Sequence, residues 1–354
     1  MKILKVKAAI DLLNGERLRQ VEVAYSTYGK LNRQKNNVIW VCHALTGNSE
    51  VHDWWAGIFG EHKSLDPSKY FIVCANVLGS CYGTTGPSHE KICENQKGVH
   101  FPLVTIDDMV GVHQLVADEL GINHIEVLIG ASLGGQQAVQ WAVDEPDRFS
   151  NLILVAANAQ HSPWGIAFNE SQRMALWADE SFRANIPGGG AFGLKAARSI
   201  AMLSYRSYAG YTRTQREDFT HKRDHFRASS YQQYQGDKFV KRFDAYAYWS
   251  LSKAMDAHNV GRKYTNIESA LRRITARTLV LGVDTDILFP IEEQLFLAEH
   301  IADSCFEVIP SHYGHDGFLT ETVRVDELIK DFLYNDFSRY RKTIFRQQRR
   351  QGVV

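Results

Sequence analysis

A mostly parallel, doubly covered α/β sheet is the fold class this sequence predicts. Two observations carry it: short apolar runs rich in β-branched residues recur along the chain, and amphipathic helical sequence lies between them. A third bounds the architecture, because the alternation stops for a long central stretch and then resumes.

The strand-like runs are Val38 to Cys42, Phe71 to Cys74, Ile125 to Ile129, Leu152 to Val155, Thr278 to Gly282 and Cys305 to Ile309. Each has the length of a strand, and continuous apolar runs suit strands covered on both faces. Between the second and third runs, Ile106, Met109, Val110, Val116, Ala117 and Leu120 recur at a helical period within Thr105 to Leu120. That spacing predicts an amphipathic helix.

From roughly Asn158 to Leu271 the strand pattern gives way to helix-compatible, aromatic and charged sequence, including Gly188-Gly189-Gly190 and the segment Ala196 to Leu203. The chain therefore divides into a core of residues 1–157 and 272–338, a helical insertion at 158–271, and a basic tail at 339–354. An insertion at the C-terminal edge of an open α/β sheet lies over the crevice where such sheets bind ligands, and so reads as a lid. The tail carries Arg339, Arg341, Lys342, Arg346, Arg349 and Arg350 and reads as a solvated terminus.

With 354 residues, 44% hydrophobic and 23% charged, the chain can bury one large core with an inserted subdomain. Lys+Arg and Asp+Glu both number 40, so no global field draws in nucleic acid or an anionic membrane, and neither is expected as a partner. The five cysteines show neither CxxC pairs nor metal-ligand spacing, which points to a reduced compartment and no metal. Charges interrupt the N-terminal apolar residues, and no run of 18 apolar residues occurs. A soluble, cytoplasmic protein is the expectation.

The sharpest local signal is Gly130-Ala131-Ser132-Leu133-Gly134, directly after one strand-like run and before the helix-like Gln136 to Val143. A serine on a strained turn between strand and helix exposes its hydroxyl at the sheet edge, and flanking glycines let the two elements approach. Serine is a weak nucleophile at neutral pH, so it needs a base and the base an orienting carboxylate. With this elbow the order along the chain is Ser, then Asp or Glu, then His. The later loops offer Asp284 or Asp286 for the acid and His312 or His315 for the base, and position alone does not choose within either pair. An oxyanion hole would take one N–H from Leu133 and another from the early loop His43-Ala44-Leu45-Thr46-Gly47, with Leu45 the favoured donor.

With those residues in place, the sequence resembles the homoserine O-acetyltransferase family of methionine biosynthesis, which has the α/β-hydrolase fold. The resemblance runs over nearly the whole chain. It rests on the His43 to Gly47 loop, the Asn76 to Pro87 segment, Phe101-Pro102 leading to Thr105 to Val110, and the elbow through Gly135. Further along, it rests on Gly193-Leu194, Ala197-Arg198, Tyr205-Arg206, Arg242 to Ala245, Asp286 to Phe289 and Gly314-His315-Asp316.

The resemblance implies Ser132 as nucleophile, Asp286 as orienting acid and His315 as base. It also implies that Arg198 and Asp316 hold the carboxylate and ammonium of an amino acid, with Arg206 a rival to Arg198. The implied reaction moves an acetyl group from acetyl-CoA, a co-substrate with no further cofactor, to the hydroxyl of L-homoserine through an acyl-serine. Similar sequences use succinyl donors or serine acceptors, and an esterase or thioesterase could use the same triad. By analogy with the family, the resemblance also implies a homodimer. The chain departs from many members at Ala131 and Leu133, where they carry glycine and methionine, in a shorter stretch before Arg198, and in the basic tail.

Overall fold

The computed structural model describes residues 1–335; the basic tail read at 339–354 lies outside them. Eight strands form one sheet: β1 (Lys2–Lys5), β2 (Glu22–Tyr28), β3 (Val38–Cys42), β4 (Phe71–Ala75), β5 (Ile125–Ala131), β6 (Phe149–Val155), β7 (Arg277–Val283) and β8 (Ser304–Ile309). Their order is β1-β2-β4-β3-β5-β6-β7-β8. The β1–β2 and β2–β4 pairs are antiparallel, and every later pair is parallel.

The six strands expected from apolar runs form the parallel part, and the two antiparallel edge strands are additions. β1 sets only Ile3 and Leu4 between Lys2 and Lys5 on an exposed edge, and β2 breaks its apolar residues with Glu22, Ser26 and Thr27. Neither offers a continuous apolar run. Glu22 and Ser26 are nevertheless buried, Glu22 on Lys91 and Ser26 on Ser49 and Glu50. The buried polar groups keep hydrogen-bond partners, which is what makes their burial tolerable.

Alternate side chains of the central strands enter two separate cores. Val38, Trp40 and Cys42 of β3 face one, and Ile39 and Val41 the other. The first face is covered by α1 (Ile106–Glu119) and α2 (Leu133–Asp144), and the second chiefly by the C-terminal helix through Val325, Leu328, Ile329 and Phe332. The expected amphipathic helix is α1. Thr105 and Asp108 close a capping box at its start, and Asp108 also accepts the Leu13 N–H, 2.8 Å away.

Between β6 and β7 the described chain adds no strand to the sheet. It forms α3 (Pro163–Ala178), α4 (Ala191–Tyr205), α5 (Tyr208–Gln215), α6 (Arg227–Val240) and α7 (Ala245–Asp256), together with shorter turns. Among the described residues, no helix is long and apolar enough to cross a membrane.

Candidate active site

Parallel pairing sets the site before any side chain is considered. The registers Cys42↔Gly130, Ala131↔Val155 and Val283↔Ile309 bring the ends of β3, β5, β6, β7 and β8 to one edge of the sheet. The loops after β3, β5, β7 and β8 carry Leu45, Ser132, Asp286 and His315. All four residues are buried.

Ser132 sits at φ 55° and ψ −125°, between the last residue of β5 and the first of α2. A non-glycine residue there costs about 1–3 kcal/mol, which surrounding structure must over-determine. The neighbouring glycines show how. A Cβ at Gly130 would stand 2.1 Å from the Gly134 carbonyl oxygen, and one at Gly134 2.0 Å from the Cys42 carbonyl oxygen. The strand, the turn and the helix therefore touch backbone to backbone, and the serine has no room to relax. Leu133 opens α2, so its N–H has no acceptor inside the helix.

Of the two acids and two histidines, one of each meet in space. His315 Nδ1 lies 2.6 Å from Asp286 Oδ2, while Asp286 Oδ1 accepts the Leu288 and Phe289 N–H groups at 2.8 and 3.0 Å. Asp284 is exposed and accepts the Ser311 N–H instead, pinning the loop that leads to His315. His312 has an exposed ring and contributes only its carbonyl, which accepts from the Ser207 hydroxyl.

Two neighbours of the imidazole lie within segments that carry the resemblance, although it assigns them no role. Phe289 stacks on His315 with centroids 5.1 Å apart, and Tyr205 of α4 lies at 5.8 Å. Gly314, at φ +64°, brings the same loop against the backbone of Arg206 and Ser207, where a Cβ would stand 2.9 Å away. The insertion is thus packed directly on the loop that bears His315.

Burial opposes the charged form of His315, but the charge and hydrogen bond of Asp286 outweigh it, helped by Asp316 and Glu293. The result is an imidazole that holds its proton above the ordinary histidine value of 6.5. A base must be neutral to act, so activity should fall as pH drops through that raised value. The acid limb of a kcat/KM profile is expected to have its midpoint above 6.5, and Glu293→Gln to move it downward; a midpoint below 6.5 would contradict the assignment.

Of the residues that the resemblance implies for the amino acid, Asp316 stands beside Arg206, the rival to Arg198. Arg206 Nε lies 3.2 Å from Asp316 Oδ2, although its N–H is not aimed at that oxygen. Arg198, half-buried, stacks its guanidinium over Tyr205 and Phe239 at 5.4 and 5.0 Å, and among the described residues no carboxylate pairs with it. Burial raises the pKa of Asp316, against the opposing charges of Arg206, Arg198 and His315. The two arginines therefore differ in contact: Arg206 stands against Asp316, whereas Arg198 lies over two aromatic rings and acts on Asp316 only through its charge.

A family model for the α/β-hydrolase fold matches residues 37–322. The homoserine O-acetyltransferase of Cyclobacterium marinum is 44% identical over 94% of both chains. Among solved structures, the homoserine O-acetyltransferase of Bacillus anthracis superposes with a TM-score of 0.87 at 22% identity, covering 95% of this chain and 98% of its own. An acetylester hydrolase from Corynebacterium glutamicum superposes nearly as well, with a TM-score of 0.84 at 23% identity over 94% of this chain and 95% of its own. Shape alone thus fits transferase and hydrolase alike, and the sequence relationship decides between them. By that relationship the chain belongs to the homoserine O-acetyltransferase family, built on the α/β-hydrolase fold.

Proposed function

We propose that this enzyme transfers an acetyl group from acetyl-CoA to the hydroxyl of L-homoserine, in two half-reactions through an acyl-Ser132. In the first, the Ser132 hydroxyl attacks the thioester carbonyl and His315 takes its proton. Asp286 holds the Nδ1–H of the resulting imidazolium. The Leu133 and Leu45 amides stabilise the oxyanion. The tetrahedral adduct collapses, the C–S bond breaks, and the CoA thiolate leaves with the proton from His315. In the second, the homoserine hydroxyl attacks the acyl-serine with His315 again as base, and the ester product leaves as Ser132 recovers its proton.

The observation that carries transfer over hydrolysis is the 44% identity to a homoserine O-acetyltransferase over 94% of both chains, and Arg198 suits it: a half-buried guanidinium with no acid partner among the described residues, on the helical insertion packed against the His315 loop. The guanidinium suits the homoserine carboxylate, and Asp316 the ammonium. Water competes for the acyl-serine, and a fixed, oriented hydroxyl overcomes it through effective concentration. A cytoplasmic homodimer with no resident cofactor or metal belongs to the same reading, and the five free cysteines suit a reduced compartment.

The test follows thiol release from acetyl-CoA with and without L-homoserine, beside succinyl-CoA and L-serine. Arg198→Ala is expected to raise the KM for homoserine by roughly tenfold to a hundredfold, the worth of a lost charged hydrogen-bonded contact. The acyl-serine burst should be unchanged. Equal loss in both half-reactions would remove Arg198 from the acceptor site, and release unaffected by any acceptor would make the enzyme a thioesterase.

A further inference from the structure

The oxyanion donors Leu45 and Leu133 belong to different segments, the loop after β3 and the first turn of α2. Their separation must be fixed by something between the two. Gln137, fully buried one helical turn beyond Leu133, spans that gap. Its carboxamide nitrogen lies 3.0 Å from the Leu133 carbonyl oxygen and 3.3 Å from that of His43. Its carboxamide oxygen lies 2.8 Å from Nε2 of the buried His113. His43 fixes its own loop in turn: Nδ1 lies 2.8 Å from the Ala44 carbonyl oxygen, and Nε2 accepts the Val77 N–H at 3.1 Å.

We propose that Gln137 is a positioning residue for the oxyanion hole, joining the Leu45 and Leu133 segments through one carboxamide whose orientation is set by His113. The proposal rests on the acyl-serine reading above. Its logic is donor and acceptor accounting. Two carbonyls converge on one end of the carboxamide, so that end must be the NH2, because an oxygen there would face two oxygens. The other end must then accept, and the donor available to it is His113 Nε2–H. Burial lowers the pKa of His113 to about 4, and its Nδ1 has no partner, so at neutral pH the ring is the Nε2–H tautomer. Trp40 and Trp141 flank the ring, each with its centroid 5.8 Å away, and hold it in place.

Gln137→Met keeps the volume and removes the carboxamide. The readout is inactivation by diisopropyl fluorophosphate, in which Ser132 Oγ bonds to phosphorus, fluoride leaves and the phosphoryl oxygen must enter the hole. Inactivation and thiol release are expected to slow together by roughly ten- to a hundredfold, below the ~10²–10³ for outright loss of a donor. The KM for homoserine should stay near wild type, while the unfolding midpoint should fall, because the buried His113 Nε2–H loses its acceptor. His113→Leu should slow inactivation by about three- to tenfold, as for one lost hydrogen bond. Because His113 acts only through Gln137, the double variant should be no slower than Gln137→Met.

Wild-type inactivation of Gln137→Met, or a raised homoserine KM alongside slower inactivation, overturns the proposal. Multiplying losses in the double variant overturn the role of His113. Should Gln137→Met fold poorly, His113→Leu decides, and wild-type inactivation there also overturns it. Failure of the wild-type enzyme to take the phosphoryl label on Ser132 would instead bring down the acyl-serine reading, and this proposal with it.

Discussion

Replacing Ser132 with alanine is expected to lower acyl transfer by a factor on the order of 10⁶, the loss seen when the nucleophile of a serine triad is deleted. The folding cost should be small, because φ 55° at position 132 is imposed by contacts of Gly130 and Gly134 that the substitution leaves intact. Methyl for hydroxymethyl removes one oxygen and no carbon. Incubation with radiolabelled acetyl-CoA alone, acid quenching and digestion should place label on the peptide containing Ser132 in the wild type and on no peptide in the variant. Label elsewhere, or turnover surviving in the alanine variant, would transfer the nucleophile's role to another group.

The second large effect is expected at Asp286. Asparagine there fits the same space but can present an N–H where His315 needs an acceptor. The imidazole would then sit in the wrong tautomer, with kcat lower by about 10⁴. The Leu288 and Phe289 N–H groups can still bond the remaining oxygen, so the loop should survive. Asp284→Asn is the matched control. Its carboxylate is exposed and caps the Ser311 N–H, a bond that an asparagine oxygen can also accept. A change of about threefold or less is expected there, within the net worth of one exposed hydrogen bond. Steady-state kinetics on the two variants would reverse the assignment if Asp284→Asn proved the more damaging.

The parallel half of the sheet was legible because strands covered on both faces must be apolar throughout, and such runs stand out from the surrounding sequence. The antiparallel edge was not legible. Glu22 and Ser26 are buried by virtue of Lys91, Ser49 and Glu50, partners far away in sequence. At the site, the Ser132 elbow announces itself because a strained turn needs small neighbours at fixed positions. The choice between Asp284 and Asp286 does not, since it depends on which carboxylate faces an imidazole 29 residues away from Asp286. The different contacts of Arg198 and Arg206 are equally invisible along the chain. Seven residues separate Arg198 from Tyr205, two turns of one helix, which places them on one face; the ion pair of Arg206 instead runs to a loop more than a hundred residues later.

The insertion leaves the sheet at the end of β6 and returns at the start of β7, and these strands are direct neighbours, with Leu152 opposite Thr278. It is a crossover whose two ends sit on neighbouring strands but at opposite ends of one parallel ladder, Val155 facing Leu281 where the chain leaves and Arg277 facing Asn151 where it returns. Ser132, Asp286 and His315 lie outside it, whereas Arg198 and Arg206 lie within it. Strand register is therefore indifferent to the length of the insertion, whereas the His315 loop is not: Gly314 leaves no room for a Cβ against Arg206 and Ser207, so the excursion can change freely only where it stands clear of that loop.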